Sequence, residues 1–175
     1  MTRSANEIMG LAQKAASGAG FPPEQAARFG QAAVAYLAAG QPPDALLTAL
    51  RDPADSPLLR LPLLMDDVLR ALSLTGPEVE LTLHPGDEAL ATAYARLLPL
   101  RMTACTVVEA DGEAGQARLR VAADTDTPAR LRFPPRIEAP QSLIEALGQL
   151  AARTYVPASE ASRLAGAGAG NIDND

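Results

Sequence analysis

Tryptophan is absent, and histidine, cysteine and lysine occur once each, at His84, Cys105 and Lys14. A lone cysteine leaves no intrachain disulfide and gives no sign of an oxidising compartment. One histidine and one cysteine supply neither a metal-ligand spacing nor a nucleophilic triad by themselves, so no metal centre is expected from them. No apolar run is long enough to cross a bilayer, and the opening "MTRSANEIMG" lacks the continuous apolar stretch of a secretory leader. These absences point to a soluble, cytoplasmic protein with no membrane partner. Aromatic residues make up only 3% of the chain against 47% apolar overall, so the core must be built from Leu, Ala, Val and Ile, which favours close helix packing on small side chains.

Nearly all the basic residues are arginine, and with abundant Ala, Gly and Pro this usage suggests GC-rich bacterial coding. The formal net charge is −6, which argues against nucleic acid as a partner, because phosphate contacts need a basic footprint. A length of 175 residues suits one domain.

Ser4 and Glu7 form an S-x-x-E capping box, and Ile8, Leu11, Ala12 and Ala15 then share one helical stripe before Gly18 and Gly20 end it. After "FPP", residues 23–39 repeat the pattern with Ala26, Phe29, Ala33 and Leu37 on one face. "QPPDALLTAL" and "PLLMDDVLRALSL" read as third and fourth helices, joined by the polar, proline-broken "RDPADSP". The period then changes. Val79, Leu81 and Leu83 alternate with Glu78, Glu80 and Thr82, as a strand with one buried face does. "HPGD" turns into a helix over residues 87–98, and "MTACTVVEA", "QARLRVAA" and "ARLRF" read as three more strands, separated by the turn compositions "DGEAG" and "DTDTP". A last helix spans residues 141–153. The order predicts an α+β fold: a helical part over residues 1–74, then residues 78–156 with a small antiparallel sheet of about four strands and a C-terminal helix, and a glycine-rich arm, expected to be ordered, over residues 157–175.

Two groups of residues suggest sites. Arg118 and Arg120 are two apart on one predicted strand, and Arg130 and Arg132 on the next; paired as a hairpin, all four would share one face, with Leu119, Val121, Leu131 and Phe133 on the other. Planar guanidinium groups so placed suit a carboxylate or phosphate. The plainer reading is an exposed sheet face whose arginines meet Glu78, Glu80 or Glu109. His84 reads as a turn residue and Cys105 as a half-buried strand residue.

The second group joins the two ends of the chain. Glu7 and Lys14 lie on one flank of the first helix, about 20° apart around the axis and about 10 Å apart along it, with Gly10 between them where a second backbone has room to approach. The chain finishes "SRLAGAGAGNIDND", in which Gly166, Gly168 and Gly170 make the backbone costly to order. Three arrangements compensate: a nest of N–H groups around an anion, an extended strand in a groove, or a cation held by Asp173, Asp175 and the terminal carboxylate. A flexible acidic tail is the plainer alternative.

"SANEIMGLAQKAASGAG", with its Asn6-Glu7, Lys14-Ala15 and Gly18-x-Gly20, and "YVPASEASRLAGAGAGNIDND", with Tyr155, Pro157, Glu160, Ser162, Arg163, the glycine run and Asp173-Asn174-Asp175, resemble the two ends of a bacterial family known as a domain of unknown function. The resemblance implies that the terminal segment belongs to the domain; it brings no activity. The leading expectation is a homo-oligomeric binder of a small anionic metabolite, or a small metabolic enzyme. Its site would lie between the arm and the first helix, with Glu7, Lys14, Ser162, Arg163 and Asp173 as polar groups and the glycine backbone as donor. No cofactor is indicated, and whether chemistry follows binding is left open. The alternatives are an accessory subunit whose arm inserts into a partner enzyme and a purely structural oligomerisation domain.

Overall fold

Small side chains set the spacing of the helical layer. The computed structural model describes residues 2–109 and 116–154. It opens with strand β1 (Thr2–Ser4), followed by helix α1 (Ala5–Ala19) and helix α2 (Pro23–Ala38). The capping box is formed in both directions: the Ser4 N–H donates to Glu7 Oε2 at 2.8 Å, and Ser4 Oγ accepts from the Glu7 N–H at 3.1 Å. Gly20 ends α1 at φ 102°, in the left-handed region, its N–H donating to the carbonyls of Ala16 and Ser17. Ala12, Ala15 and Ala16 of α1 and Ala26, Phe29, Ala32 and Ala33 of α2 are fully buried. The first half of α2 keeps a polar face with Glu24, Gln25, Arg28 and Gln31, whereas 32–37 is apolar and buried at every position, as a helix in the interior must be.

The backbones come closest where a side chain is missing. A Cβ placed on Gly30 would lie 2.7 Å from the Met9 carbonyl oxygen, and one on Gly18 would lie 1.9 Å from the carbonyl oxygen of Leu150, in the last helix. The expected close approach at Gly10 is not made by any described residue, since nothing lies within 4 Å of a Cβ built there.

Helix α3 (Asp44–Ala49) is short, and α4 (Pro57–Thr75) starts five residues earlier than the expected helix beginning at Pro62. Ser56 explains the early start. Buried, it accepts from the Leu58 N–H at 3.1 Å and donates to the Ala49 carbonyl at 2.6 Å, with Pro57 at the first helical position. Pro62 inside the helix gives up one hydrogen bond. Leu58, Leu61, Met65, Val68 and Leu72 nevertheless keep an unbroken buried stripe across it.

Strand β2 (Glu78–Thr82), helix α5 (Glu88–Ala95), strand β3 (Leu100–Val108) and strand β4 (Arg118–Pro128) complete the second part of the α+β fold. The sheet is antiparallel in the order β2-β4-β3, with β4 central. Leu119, Val121 and Ala123 of β4 and Val79 of β2 face the core under α4 and α5; Arg118, Arg120 and Glu80 stand on the open face. Strand β5 (Arg136–Glu138) does not join this sheet. It pairs with β1 through Thr2↔Glu138, Arg3↔Ile137 and Ser4↔Arg136, and helix α6 (Gln141–Ala151) then packs along α1.

One expected strand is missing. Residues 129–133, "ARLRF", are not in a strand. They lie between Pro128 and the pair Pro134–Pro135, which have no N–H to give a ladder, and both neighbours of β4 are already β2 and β3. The sheets therefore hold three and two strands in place of one sheet of about four.

Candidate functional site

Because residues 129–133 do not fold back on β4, the four-arginine strip does not form. Arg118 and Arg120 are committed to Glu80. Arg118 Nη1 donates to Oε1 at 2.9 Å, and Arg120 donates to Oε2 from Nη2 at 2.7 Å and from Nε at 3.0 Å. Hydrogen bonds from these two guanidinium groups hold the Glu80 carboxyl below its ordinary range. This is the plainer of the two readings, an exposed charge cluster on an open sheet face. Leu131, expected to face inward, is 42% exposed.

Arg130 and Arg132 are placed elsewhere, and there they meet a residue that sequence reasoning passed over. α5 ends at Arg96, whose N–H donates to the Thr92 carbonyl at 3.1 Å; the Leu97 and Leu98 N–H groups then donate to Tyr94 and Ala95, and Pro99 leads into β3. The 129–135 segment is tied to this turn by the Ala129 N–H donating to Pro99 O at 3.0 Å. At its far end Pro135 O accepts from the Ala5 N–H at 3.2 Å. Between these two ties it crosses the end of α2 and encloses a cleft of about 280 Å³. Ala35, Ala38, Leu98, Leu100 and Phe133 form the apolar wall, and Arg96, Arg130 and Arg132 line the rest. The alanines of α2 leave the space that larger side chains would fill.

Among the described residues no carboxylate lines this cleft, and none of the three arginines forms an ion pair with another of them. The carbonyl ends of α2 and α5 lie at the same place, each equivalent to roughly −0.5 charge. Against three guanidinium groups they leave a surplus of about +2. On a chain of net charge −6 this is a local reversal of sign. The cleft suits one or two carboxylate or phosphate groups held by planar forks, with an apolar wall for the rest of the molecule.

The described lining residues supply binding groups. None of the described lining side chains serves as a nucleophile or proton carrier near neutral pH. Cys105 is only half-buried on β3, and burial pushes its thiol up more than Arg96 pulls it down, so it is not an activated thiolate. His84 is a turn residue, as read: it is exposed, its Nδ1 lies 2.8 Å from Pro85 O, and its carbonyl accepts from the Asp87 N–H at 3.0 Å.

A second arginine site is closed by its own partners. Asp87 is 2% exposed and receives Arg60 Nε at 3.1 Å and Nη2 at 2.6 Å, while Arg60 Nη1 also meets Asp55. This pair fastens α4 to the start of α5 across 27 positions of sequence. A cleft of about 340 Å³ beside it is lined by Asp44, Asp55 and Arg60, so it lacks the basic surplus of the first cleft. Among the described residues no cluster of three or more His, Cys, Asp or Glu side chains has the geometry of a metal site.

Glu7 and Lys14 both stand exposed on α1. The Glu7 carboxylate is engaged as the capping group, and hydrogen bonds from Ser4 hold it below the ordinary range. Ser162, Arg163, Gly166, Gly168, Gly170, Asp173 and Asp175, the proposed partners of Glu7 and Lys14, lie outside the described residues. Arg96 carried a faint signal in the sequence, a cation at a helix end followed by "LLP". Comparison with protein-family models, with curated proteins and with solved structures finds no match for this chain.

Proposed function

We propose that the protein binds a small anionic compound, a carboxylate or phosphate with a short apolar body, in the cleft lined by Arg96, Arg130 and Arg132. The observation that carries this reading is the convergence of three arginines on one apolar-walled space with no carboxylate among its described lining residues. A guanidinium beside an acid is neutralised in place; three without one attract an anion and lower the cost of desolvating it. The cleft is at the small end of ligand pockets, which restricts the ligand to a metabolite-sized molecule. The lining favours a carrier, sensor or regulatory role over catalysis.

The test is a calorimetric titration with succinate, citrate and a phosphate monoester such as glycerol 3-phosphate. At least one should bind saturably. Arg130→Gln and Arg132→Gln should each weaken it several-fold, and binding should weaken as KCl is raised. Equal affinity in the Arg96→Gln/Arg130→Gln/Arg132→Gln triple variant, folded by circular dichroism, would refute the assignment.

A further inference from the structure

Helix α4 packs on α2, α5, β2 and β4 and buries Leu58, Leu61, Met65, Val68 and Leu72. The side of the helix opposite that stripe is open. There Leu63 and Leu74 are 65% and 78% exposed, the two most exposed large apolar side chains among the described residues. A single surface leucine needs no explanation. Two in register on one helix face call for one.

Leu63, Asp67, Arg70 and Leu74 follow one another at spacings of four, three and four residues, those of a narrow coiled-coil seam. At about 100° per residue all four fall within a sector of about 60°, and the two leucines stand about 16 Å apart along the axis. Between them the charges are opposite. Arg70 Nη1 donates to Asp67 Oδ1 at 2.8 Å, and both side chains are more than half exposed.

The order of these four residues selects the partner. Leu63 and Leu74 are equally far from the midpoint between Val68 and Leu69, and so are Asp67 and Arg70. A second α4 turned end for end about that midpoint therefore lays leucine on leucine at both ends and sets carboxylate against guanidinium twice at the centre. An isologous two-fold contact requires such a patch, with residue i on j and j on i. A parallel copy would oppose like charges at both central positions, which is unfavourable.

We propose that the open face of α4 is a homodimer interface, on which a second copy of this chain packs antiparallel, Leu63 on Leu74 of the other copy and Asp67 on its Arg70. Each guanidinium then lies between two carboxylates, its own and the other copy's, with a leucine pair at either end of the charge cluster. Two helices meeting over so short a seam bury less than a standard interface, so the dimer dissociates in the micromolar range. None of these residues lines the basic cleft, so the interface does not depend on an anion bound there.

Sedimentation velocity of the full-length chain, run across the micromolar range, should show monomer giving way to dimer. Leu63→Glu and Leu74→Glu should each weaken association about tenfold or more. Asp67→Arg and Arg70→Asp place like charges across the seam and should each leave monomer. Mixed together, these two variants should form a heterodimer, identified by its mass in native mass spectrometry, although neither associates alone. Neither keeps the ion pair within its own helix, so this rescue reports contact between copies. In a half-labelled wild-type sample, isotope-filtered NOEs should join Leu63 methyls to Leu74 methyls of the other copy. Circular dichroism checks that each variant is folded. A chain that stays monomeric throughout that range overturns the proposal, as does a dimer that both leucine variants leave intact. Failure of the mixed charge variants to associate does so too, and NOEs joining Leu63 to Leu63 would refute the antiparallel arrangement.

Discussion

Two glycines on one helix should respond to the same substitution with opposite signs. Replacing a mid-helix glycine by alanine removes a conformational cost of about 1 kcal/mol when the new methyl meets nothing. Gly10 meets that condition, since no described atom lies within 4 Å of its added Cβ. At Gly18 the methyl would stand 1.9 Å from the Leu150 carbonyl oxygen and 2.9 Å from its carbon, where ordinary contact begins at 3.4 Å. The α6 backbone must retreat by about 1.5 Å, the difference between the two distances, which is more than the shifts that follow insertion of a methylene.

Overpacking of that kind costs about 1–3 kcal/mol, and a backbone obstacle belongs at the top of the range because it has no rotamer to change. Setting the helix gain of about 1 kcal/mol against it leaves Gly18→Ala destabilised by about 2 kcal/mol. Thermal melts should place Gly10→Ala about 2–4 °C above the wild type and Gly18→Ala about 4–8 °C below it. Hydrogen exchange should show the loss first in α6, the helix that must move. Gly30→Ala, 2.7 Å from Met9 O, should fall between them. If Gly18→Ala melts as high as Gly10→Ala, the packing of α6 on α1 is not as described.

Tyr94→Phe should stabilise the protein by about 1–3 kcal/mol, because it removes a buried hydroxyl that has no partner among the described residues; a lower urea midpoint would mean that the hydroxyl is paired. A double-mutant cycle on Arg60 and Asp87 should give a coupling above about 1 kcal/mol, whereas the cycle on Arg60 and Asp55 should fall near zero, since Asp55 is 68% exposed. Glu80 titrates below its ordinary 4.5 in the folded state, so its contribution is complete above that pH and is lost as pH falls through the depressed folded value. Glu80→Gln should therefore flatten the acid limb of stability below about pH 4.5 and leave the neutral range parallel to the wild type.

The elements that sequence patterning located are those held by local chemistry. The Ser4–Glu7 box and the Ile8–Ala12–Ala15 stripe define α1 within its own residues, and the alternation at Val79 and Leu81 belongs to β2 alone. What sequence patterning missed depends on partners far away in the chain. β1 and β5 are three residues each and pair across more than 130 positions, so neither carries a periodicity that stands out. "ARLRF" alternates as a strand does, but alternation shows only that one face can be buried; a ladder also needs a free neighbour, and β4 had none. Gly10 and Gly18 look alike in sequence because the reason for a glycine lies on the neighbouring helix.

The candidate sites show the same limit, with one local regularity behind them. At about 100° per residue, positions two apart on a helix point to nearly opposite sides. Tyr94 and Arg96 are two apart at the end of α5, so the phenol turns in between α2 and α4 while the guanidinium turns out toward residues 129–134. Leu98, two further on, lines both spaces. A single turn of chain thus forms the partition between a basic cleft and an open groove whose described charges are balanced. The opposed characters come from what each side faces: arginines without an acid partner among the described residues, on a segment that prolines keep out of the sheet, and an arginine already neutralised by Glu24 and Asp66. Helical spacing makes the partition readable from "TAYARLLP", whereas the two opposing walls come from residues 28–31, 65–69 and 129–134, which only the tertiary fold brings to it.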